Sequence, residues 1–284
     1  MQAVKKHCIK EALDLAVSKL QSSDQTRLEV EVLLAYVLDK QRSYLHAWPE
    51  AELSEEQTLR FGELVEQRAE GLPVAYLTGR REFWSLDFEV TADTLIPRPE
   101  TELLVEQALA LLPANEILQI ADLGTGSGAI AIALAQERKP WTLYAVDRSF
   151  TCAHIAQRNA KRLGVRNVTI VNANWCDALA DASLDAVVSN PPYVAERDPH
   201  LRQGDVRYEP VSALVSGTDG LDDIRILLAE APRILKNGGW VLLEHAADQS
   251  ETIRNLLNTK YFINITTLRD LAGLERVSCA QKPA

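Results

Sequence analysis

Two stretches of the 284-residue chain hold residue types that packing alone does not call for. The first is SNPPY, residues 189–193. Val187 and Val188 read as the tail of a buried strand, and Ser189 and Asn190 then run into Pro191, Pro192 and Tyr193. Neither proline has a backbone N–H and each fixes φ near −65°, so the chain leaves its strand through a stiff segment, with a carboxamide before it and an aromatic ring after it. The second is ADLGTGSGA, residues 121–129, in which Gly124, Gly126 and Gly128 alternate. A strand-to-helix turn this rich in glycine lets a ligand approach the backbone closely at a helix N-terminus. Gly124, Gly126 and Ala129 satisfy the G-x-G-x-x-G/A spacing of a dinucleotide site. Asp147 ends the next apolar run, nineteen residues after Gly128, where an acid suits a ribose diol and suits an ordinary helix N-cap just as well.

The elements that must position these residues follow from periodicity. Residues 1–78 read as helices packed on one another. KEALDLAVSKL carries apolar residues at helical spacing, SSDQTRLEVEVLLAYVLDK opens with the N-cap candidates Ser22, Ser23 and Asp24, and LSEEQTLRFGELVEQRAEG runs from a cap at Ser54 to a stop at Gly71. Residues 79–97 alternate apolar and polar, with Phe83, Trp84 and Phe88 among them, and predict a β-hairpin linker. IPRPETE, residues 96–102, reads as a well-made helix start with Pro99 at its first position. From there to residue 284 strands and helices alternate: strands at ILQIADL, TLYAVD, NVTIVNAN, LDAVVSN, WVLLEH, FINITTL and ERVSCAQ, with LDDIRILLAEAPRILKNGG as a helix closed by its glycines. Such alternation means βαβ units and a mostly parallel sheet with helices on both faces. Ligands of open α/β sheets bind at the carboxyl ends of the strands, where both SNPPY and the glycine turn fall.

Composition narrows the class. The chain is 46% hydrophobic and 25% charged, enough apolar residue for a buried core. No apolar run reaches the length of a membrane span, and the N-terminus lacks the apolar segment of a signal peptide, so a cytoplasmic protein is expected. The four cysteines stand far apart without a C-x-x-C pair and the five histidines are scattered, which predicts neither disulfide nor metal. A formal net charge of −10 favours a protein or small-molecule substrate over a nucleic-acid duplex.

The run DLGTGSG resembles the first motif of class I methyltransferases, which bind S-adenosylmethionine, and Asn-Pro-Pro-Tyr after the fourth strand resembles the amino-methyltransferases, which act on a nitrogen conjugated to a π system. Such a nitrogen is a poor nucleophile because its lone pair is delocalised. Acceptors that hold its N–H bonds are needed, and the Asn190 side-chain oxygen and the Pro191 carbonyl are two of them, frozen by the prolines, with Tyr193 offering a flat face.

DNA adenine, rRNA guanine and protein glutamine methyltransferases share that motif. PVAYLTG, FEVTADTLIPRPETE, DLGTGSGAIAIALA, VSNPPYV, YEP, ALVSGTDGL, LLEH and DLAGLERV together are similar to the peptide chain release factor glutamine methyltransferases, the PrmC/HemK family, over nearly the whole chain. The resemblance implies an α/β class I methyltransferase fold at 98–284, behind the helical substrate-recognition domain at 1–78 and the hairpin at 79–97. It implies methyl transfer from S-adenosylmethionine to the glutamine of the GGQ motif of class I release factors, giving N5-methylglutamine. In its terms Gly124, Thr125, Gly126, Ser127, Gly128, Asp147, Trp175 and Asn190 serve the cofactor, and Asn190, Pro191, Pro192 and Tyr193 embrace the substrate amide. It also implies a monomer that makes no direct contact with nucleic acid or membrane. The alternative is an amino-methyltransferase acting on adenine or guanine; from another class, a non-catalytic adaptor would bind release factors through its helices. Two positions depart from the family pattern: Asn174 stands where an acid often precedes the tryptophan, and Ala246 where glycine often follows LLEH.

Overall fold

The computed structural model describes residues 7–20 and 24–284. Of the three N-cap candidates for the second helix, Ser22 and Ser23 lie outside these residues, and Asp24 is the first helical residue. The chain divides into two units: residues up to Gly79 together with Arg202–Tyr208, and Arg80–Leu201 together with Glu209–Ala284.

The first unit holds helices α1 (Ile9–Lys19), α2 (Asp24–Leu38), α3 (Arg42–Ala47), α4 (Glu55–Ala69) and α5 (Val74–Thr78). Their apolar stripes meet in a core that includes Ile9, Leu13, Leu33, Leu34, Phe61 and Leu64. Ser54 opens α4 with a reciprocal cap: the Gln57 N–H donates to its hydroxyl at 3.1 Å, and its own N–H donates to Gln57 Oε1 at 2.8 Å. Gly71 follows the helix at φ +103°, and a Cβ there would also strike the Arg207 guanidinium. Arg68, 17% exposed at its side chain, ties the separate segment in. Its fork donates twice to Glu29, at 2.8 Å each, and once to Asp205 at 2.7 Å, and it reaches the Leu72 carbonyl at 3.1 Å.

The second unit begins with the hairpin β1 (Arg80–Phe83) and β2 (Leu86–Glu89), followed by α6 (Glu102–Leu111). Its two-residue turn, Trp84–Ser85, has both residues at positive φ, 53° and 56°. Two-residue hairpin turns usually take Asn or Gly there. Here Glu102 accepts the Trp84 backbone N–H at 2.7 Å and Glu137 accepts the indole N–H at 2.9 Å, which holds the turn without either.

Seven further strands form one sheet: β3 (Gln119–Leu123), β4 (Thr142–Asp147), β5 (Val168–Asn172), β6 (Leu184–Ser189), β7 (Leu235–Glu244), β8 (Ile263–Arg269) and β9 (Glu275–Gln281). The order is β5-β4-β3-β6-β7-β9-β8, with β9 the antiparallel member. Helices α7 (Ala129–Glu137), α8 (Phe150–Arg162), the one-turn α9 (Val211–Leu214), α10 (Asp222–Ile234) and α11 (Ser250–Thr259) complete the unit. Successive strand residues face opposite ways. Ile120, Leu143, Ala186 and Leu242 pack with α6 and α7, while Leu123, Val146, Val187 and Leu243 pack with α10 and α11. This is the doubly wound α/β arrangement the alternation predicts.

One boundary differs from the sequence reading. Gly238 and Gly239 do not close the preceding helix; α10 ends at Ile234, and LKNGG is already the first half of β7. The pairing of β6 with β7 is irregular between Leu184 and Ala186, and the chain passes so close there that a Cβ on Gly239 would lie 2.9 Å from the Lys236 carbonyl and 3.2 Å from the Asp185 carbonyl. The glycines serve a bulge, which in sequence looks the same as a helix stop.

Arg68→Ala removes the cation from two carboxylates, Glu29 and Asp205, whose side chains are 26% and 37% exposed. The expected cost is about 2 kcal/mol of unfolding free energy, between the scale of an exposed pair and that of breaking a buried one from one side. A urea titration checks this, and a loss below about 1 kcal/mol would show the pairs to be loosely solvated.

Candidate active site

Strand register brings the two chemical stretches together. In the parallel pair β3–β6, Asp122 lies opposite Val188, so Gly124 follows on one strand where Asn190 follows on the other. The fully buried Ser189 hydroxyl locks that level by donating to the Leu123 carbonyl at 2.5 Å. The sheet order also reverses here, with β4 and β5 to one side and β6 and β7 to the other, which makes this edge the topological switch point.

The edge opens into a cleft with about 710 Å³ of empty space, solvent at its mouth included. Gly124, Gly126, Asp147, Trp175, Asn190 and Pro192 all line it, with Asp93, Arg148, Cys152 and Ser212 around them. Of the other residues singled out in sequence, Thr125 and Ser127 are buried. The Thr125 hydroxyl donates to Asp122 at 2.6 Å, and the Ser127 carbonyl accepts from Asn159 at 2.9 Å. Gly128 has a packing reason of its own: a Cβ there would meet Ile132 at 2.9 Å and Ala156 at 3.1 Å. Pro191 is buried, and Tyr193 turns its hydroxyl onto Glu244 at 3.3 Å, so the ring contributes more than a flat face.

Asp147 does not cap the following helix; Ser149 does, accepting the Cys152 N–H at 3.3 Å. The Asp147 carboxylate takes the Gly126 N–H at 2.9 Å and the Ser149 N–H at 2.8 Å. A carboxylate has roughly four acceptor positions, so two remain for hydroxyls in the cleft. Burial pushes its pKa up while those two N–H groups pull it back. Trp175 adopts φ 43° and lays its ring against Gly124, where a Cβ would come within 3.2 Å. Left-handed Gly126 has nothing within 4 Å of a notional Cβ, so its backbone is open to a guest. A diol acceptor, an indole face and bare glycine backbone suit a ribonucleoside group such as that of S-adenosylmethionine. Burial pushes the Cys152 thiol on the wall up to about 11, which keeps it protonated at neutral pH.

Four polar side chains have contacts here that the sequence reading did not single out. Asp122, fully buried, accepts from Thr125 and from the Ala131 N–H at 3.1 Å and so ties the glycine turn to the start of α7; burial raises its pKa to about 7. Thr101 accepts from Asn190 Nδ2 at 3.1 Å. Glu244 is 1% exposed, with its pKa raised to about 7 by burial. Glu209, of the YEP stretch, pairs with Arg98 and accepts the Ile96 N–H at 3.3 Å, holding IPRPETE in place. Each lies in a stretch quoted from the sequence, DLGTGSG, IPRPETE, LLEH or YEP, whose signal does not name the individual side chain. Asn174 is exposed, and Ala246 sits in a tied loop, its N–H donating to Gln249 and its carbonyl 2.8 Å from His245 Nδ1. Among the described residues no group of three His, Cys, Asp or Glu could hold a metal ion, and no helix is long and apolar enough to cross a membrane.

Comparison with known proteins gives the following. Residues 11–79 match the PrmC N-terminal domain and residues 99–205 the methyltransferase small domain. The release factor glutamine methyltransferase of Pseudomonas aeruginosa is 50% identical over 93% of this chain and 95% of its own. Those of Coxiella burnetii and Escherichia coli are 46% and 45% identical over 96% and 93% of this chain and 99% and 95% of theirs. Among solved structures, the hMettl16 catalytic domain superposes with a TM-score of 0.58 at 16% identity, covering 78% of this chain and 82% of that one. A methyltransferase from Pyrococcus furiosus gives 0.53 at 18%, covering 70% and 90%. At these identities the two structures show the fold.

Asp122 supplies a test of its environment. Its pKa lies near 7 in the folded chain, above the 3.8 of a free carboxyl, so the folded state keeps a proton that the unfolded state releases between those values. Its contribution is therefore present at low pH and lost as pH rises through about 7. Asp122→Asn has no such proton. The melting temperature of the variant relative to wild type should be more favourable at about pH 8 than at about pH 5, and a pH-independent difference would refute the assignment.

Proposed function

This chain belongs to the release factor glutamine methyltransferase family, and from that membership and the cleft we propose that it methylates the side-chain amide nitrogen of a class I release factor glutamine, that of the GGQ motif, to N5-methylglutamine. The carrying observation is the placement of Asn190: it lines the nucleoside-shaped cleft, with its Nδ2 already engaged by Thr101. Asn190 Oδ1 and the Pro191 carbonyl accept the two N–H bonds of the substrate carboxamide and turn its nitrogen toward the cleft. Pro191 and Pro192 keep both acceptors in place, so little reorganisation is needed when charge develops. Tyr193 borders the flat guest.

Asp147 would hold the ribose of S-adenosylmethionine, the Gly124 and Gly126 backbone would let it approach, and Trp175 would offer its ring to the adenine. Bound there, the cofactor would supply an electrophilic methyl group and leave as the thioether, and the amide nitrogen that takes the methyl would shed its proton to water. No side chain needs to act as general base. Burial and the neighbouring Glu244 push the Tyr193 hydroxyl well above its ordinary value, which keeps that proton in place. The helical unit contacts the release factor, the protein works as a monomer in the cytoplasm where termination occurs, and nucleic acid is not the methyl acceptor.

Incubation of a purified release factor with this protein and labelled S-adenosylmethionine should methylate one glutamine-bearing peptide, read by mass spectrometry. Label entering DNA or rRNA instead would overturn the reading. Asn190→Ala should lower kcat by about 10²-fold or more, the scale of removing one preorganised polar contact, where an adaptor would lose nothing. Asp147→Ala should weaken cofactor binding in calorimetry while the melting temperature holds; unchanged affinity would remove Asp147 from the ribose.

A further inference from the structure

We infer that Gln249 holds the Tyr193 end of Asn-Pro-Pro-Tyr in place, and so is a positioning residue for the methylation proposed above, on which this inference rests. Proline fixes φ and leaves ψ free to turn. Pro191 and Pro192 therefore stiffen the exit from β6 without settling where its far end points. The peptide that follows Tyr193 needs a tether of its own.

Gln249 supplies that tether from a distant turn. It lies between β7 and α11 and is 8% exposed. Its Nε2 donates to the Tyr193 carbonyl at 2.9 Å, with the Asp219 and Gly220 carbonyls at 3.4 Å each. Its Oε1 accepts the Ala246 N–H at 3.1 Å. Three oxygens around one end and an N–H at the other admit a single orientation of this carboxamide. One side chain thus joins the segments after β6, before α10 and after β7.

Gly220 shows how closely the Tyr193 carbonyl is enclosed. A Cβ there would lie 2.3 Å from that oxygen and 2.8 Å from Gln249 Nε2, and its φ of +76° is left-handed. Glycine alone leaves the hydrogen bond room. The next residue is held as well: the Val194 N–H donates to the Leu214 carbonyl at 2.8 Å, and its carbonyl accepts the Ser216 N–H at 3.0 Å. At the ring tip, the Tyr193 hydroxyl donates to Glu244 Oε1 at 3.3 Å. The stretch ALVSGTDGL and the turn after LLEH thereby acquire a task. The cofactor side of the cleft is built elsewhere, with Gly124 after β3, Asp147 at the end of β4 and Trp175 after β5. Loss of the Gln249 tether therefore moves the substrate side and spares the cofactor side.

The test is steady-state methylation of a purified release factor by wild type, Gln249→Met, Gln249→Glu, Gly220→Ala and the Gly220→Ala/Gln249→Met double variant. Cofactor affinity comes from calorimetry, and every assay runs below the melting temperature of the variant. Gln249→Met keeps the length of the side chain and cannot donate, and Gly220→Ala pushes the Tyr193 carbonyl off its donor. Each should lower kcat on the order of 10- to 100-fold, the scale of a misplaced group, with cofactor affinity within about twofold. Because both act on one hydrogen bond, the double variant should lose little more than the worse single variant. Gln249→Glu has a donor only while its carboxyl is protonated. Its kcat relative to wild type should therefore fall as pH rises from about 6 to about 9, while the ratio for Gln249→Met stays flat. Tyr193, Asp219, Glu244, His245, Glu275 and Arg276, on the segments packed against this turn, are common to both proteins and cancel in the ratio. Wild-type kcat in Gln249→Met, cofactor affinity falling in step with kcat, fully multiplicative losses in the double variant, or a pH-independent ratio for Gln249→Glu would overturn the inference. Should Gln249→Met not fold, the pH profile of Gln249→Glu decides. Failure of the function reading looks different: wild type would leave the release factor unmodified while methylating another amide or amine, and the same ranking of variants on that acceptor would still support the tether.

Discussion

The register of three neighbouring parallel strands is the constraint on which everything else depends. Asp122 and Leu123 on β3, Val188 and Ser189 on β6, and Leu242 and Leu243 on β7 run side by side, so the three chains leave the sheet at one level. A slip of one residue along β6 would turn every side chain to the other face. Asn190 would then leave the cleft, and the buried Ser189 hydroxyl would lose the Leu123 carbonyl. At this level the β3–β6 and β6–β7 pairings run in register. The left-handed backbone of the site falls in the loops beyond, at Trp175 and in the glycine turn.

Around that edge the protein buries carboxyl groups that it does not pair with a cation. Asp122 and Glu244 are enclosed; hydroxyl or amide donors reach one oxygen of each, and the other oxygen has no hydrogen-bond partner among the described residues. Buried carboxylates of this kind cost stability. What they return is orientation, of the glycine turn in one case and of Tyr193 in the other. Arg98 and Glu209 do similar work further out, with opposite charges cancelling.

Much of this architecture is legible in the residues themselves. Apolar runs of strand length between helical stretches foretell a parallel sheet, and prolines after a strand mark a rigid exit at its carboxyl end. The illegible parts share one cause: the informative partner is distant in sequence. The Trp84–Ser85 turn carries no Asn or Gly because Glu102 and Glu137 hold it. LKNGG resembles a helix stop until β6 lies against it. Thr101 looks like a capping residue and Glu244 like a polar strand end, and only the fold shows that one meets Asn190 and the other Tyr193. Asp147 reads in sequence as either cap or ligand holder, and the structure gives the cap to Ser149, two residues on.

The helical unit is built from two separated lengths of chain, the second being Arg202–Tyr208. During vectorial synthesis, at roughly 5–20 residues per second, the five helices emerge early, yet Arg68 cannot find Asp205 until β3 to β6 have also left the ribosome. An excised fragment ending at residue 79 would thus be an unfinished module, with a guanidinium missing one of its two acids. Grafting these helices onto another scaffold therefore requires carrying the later loop as well.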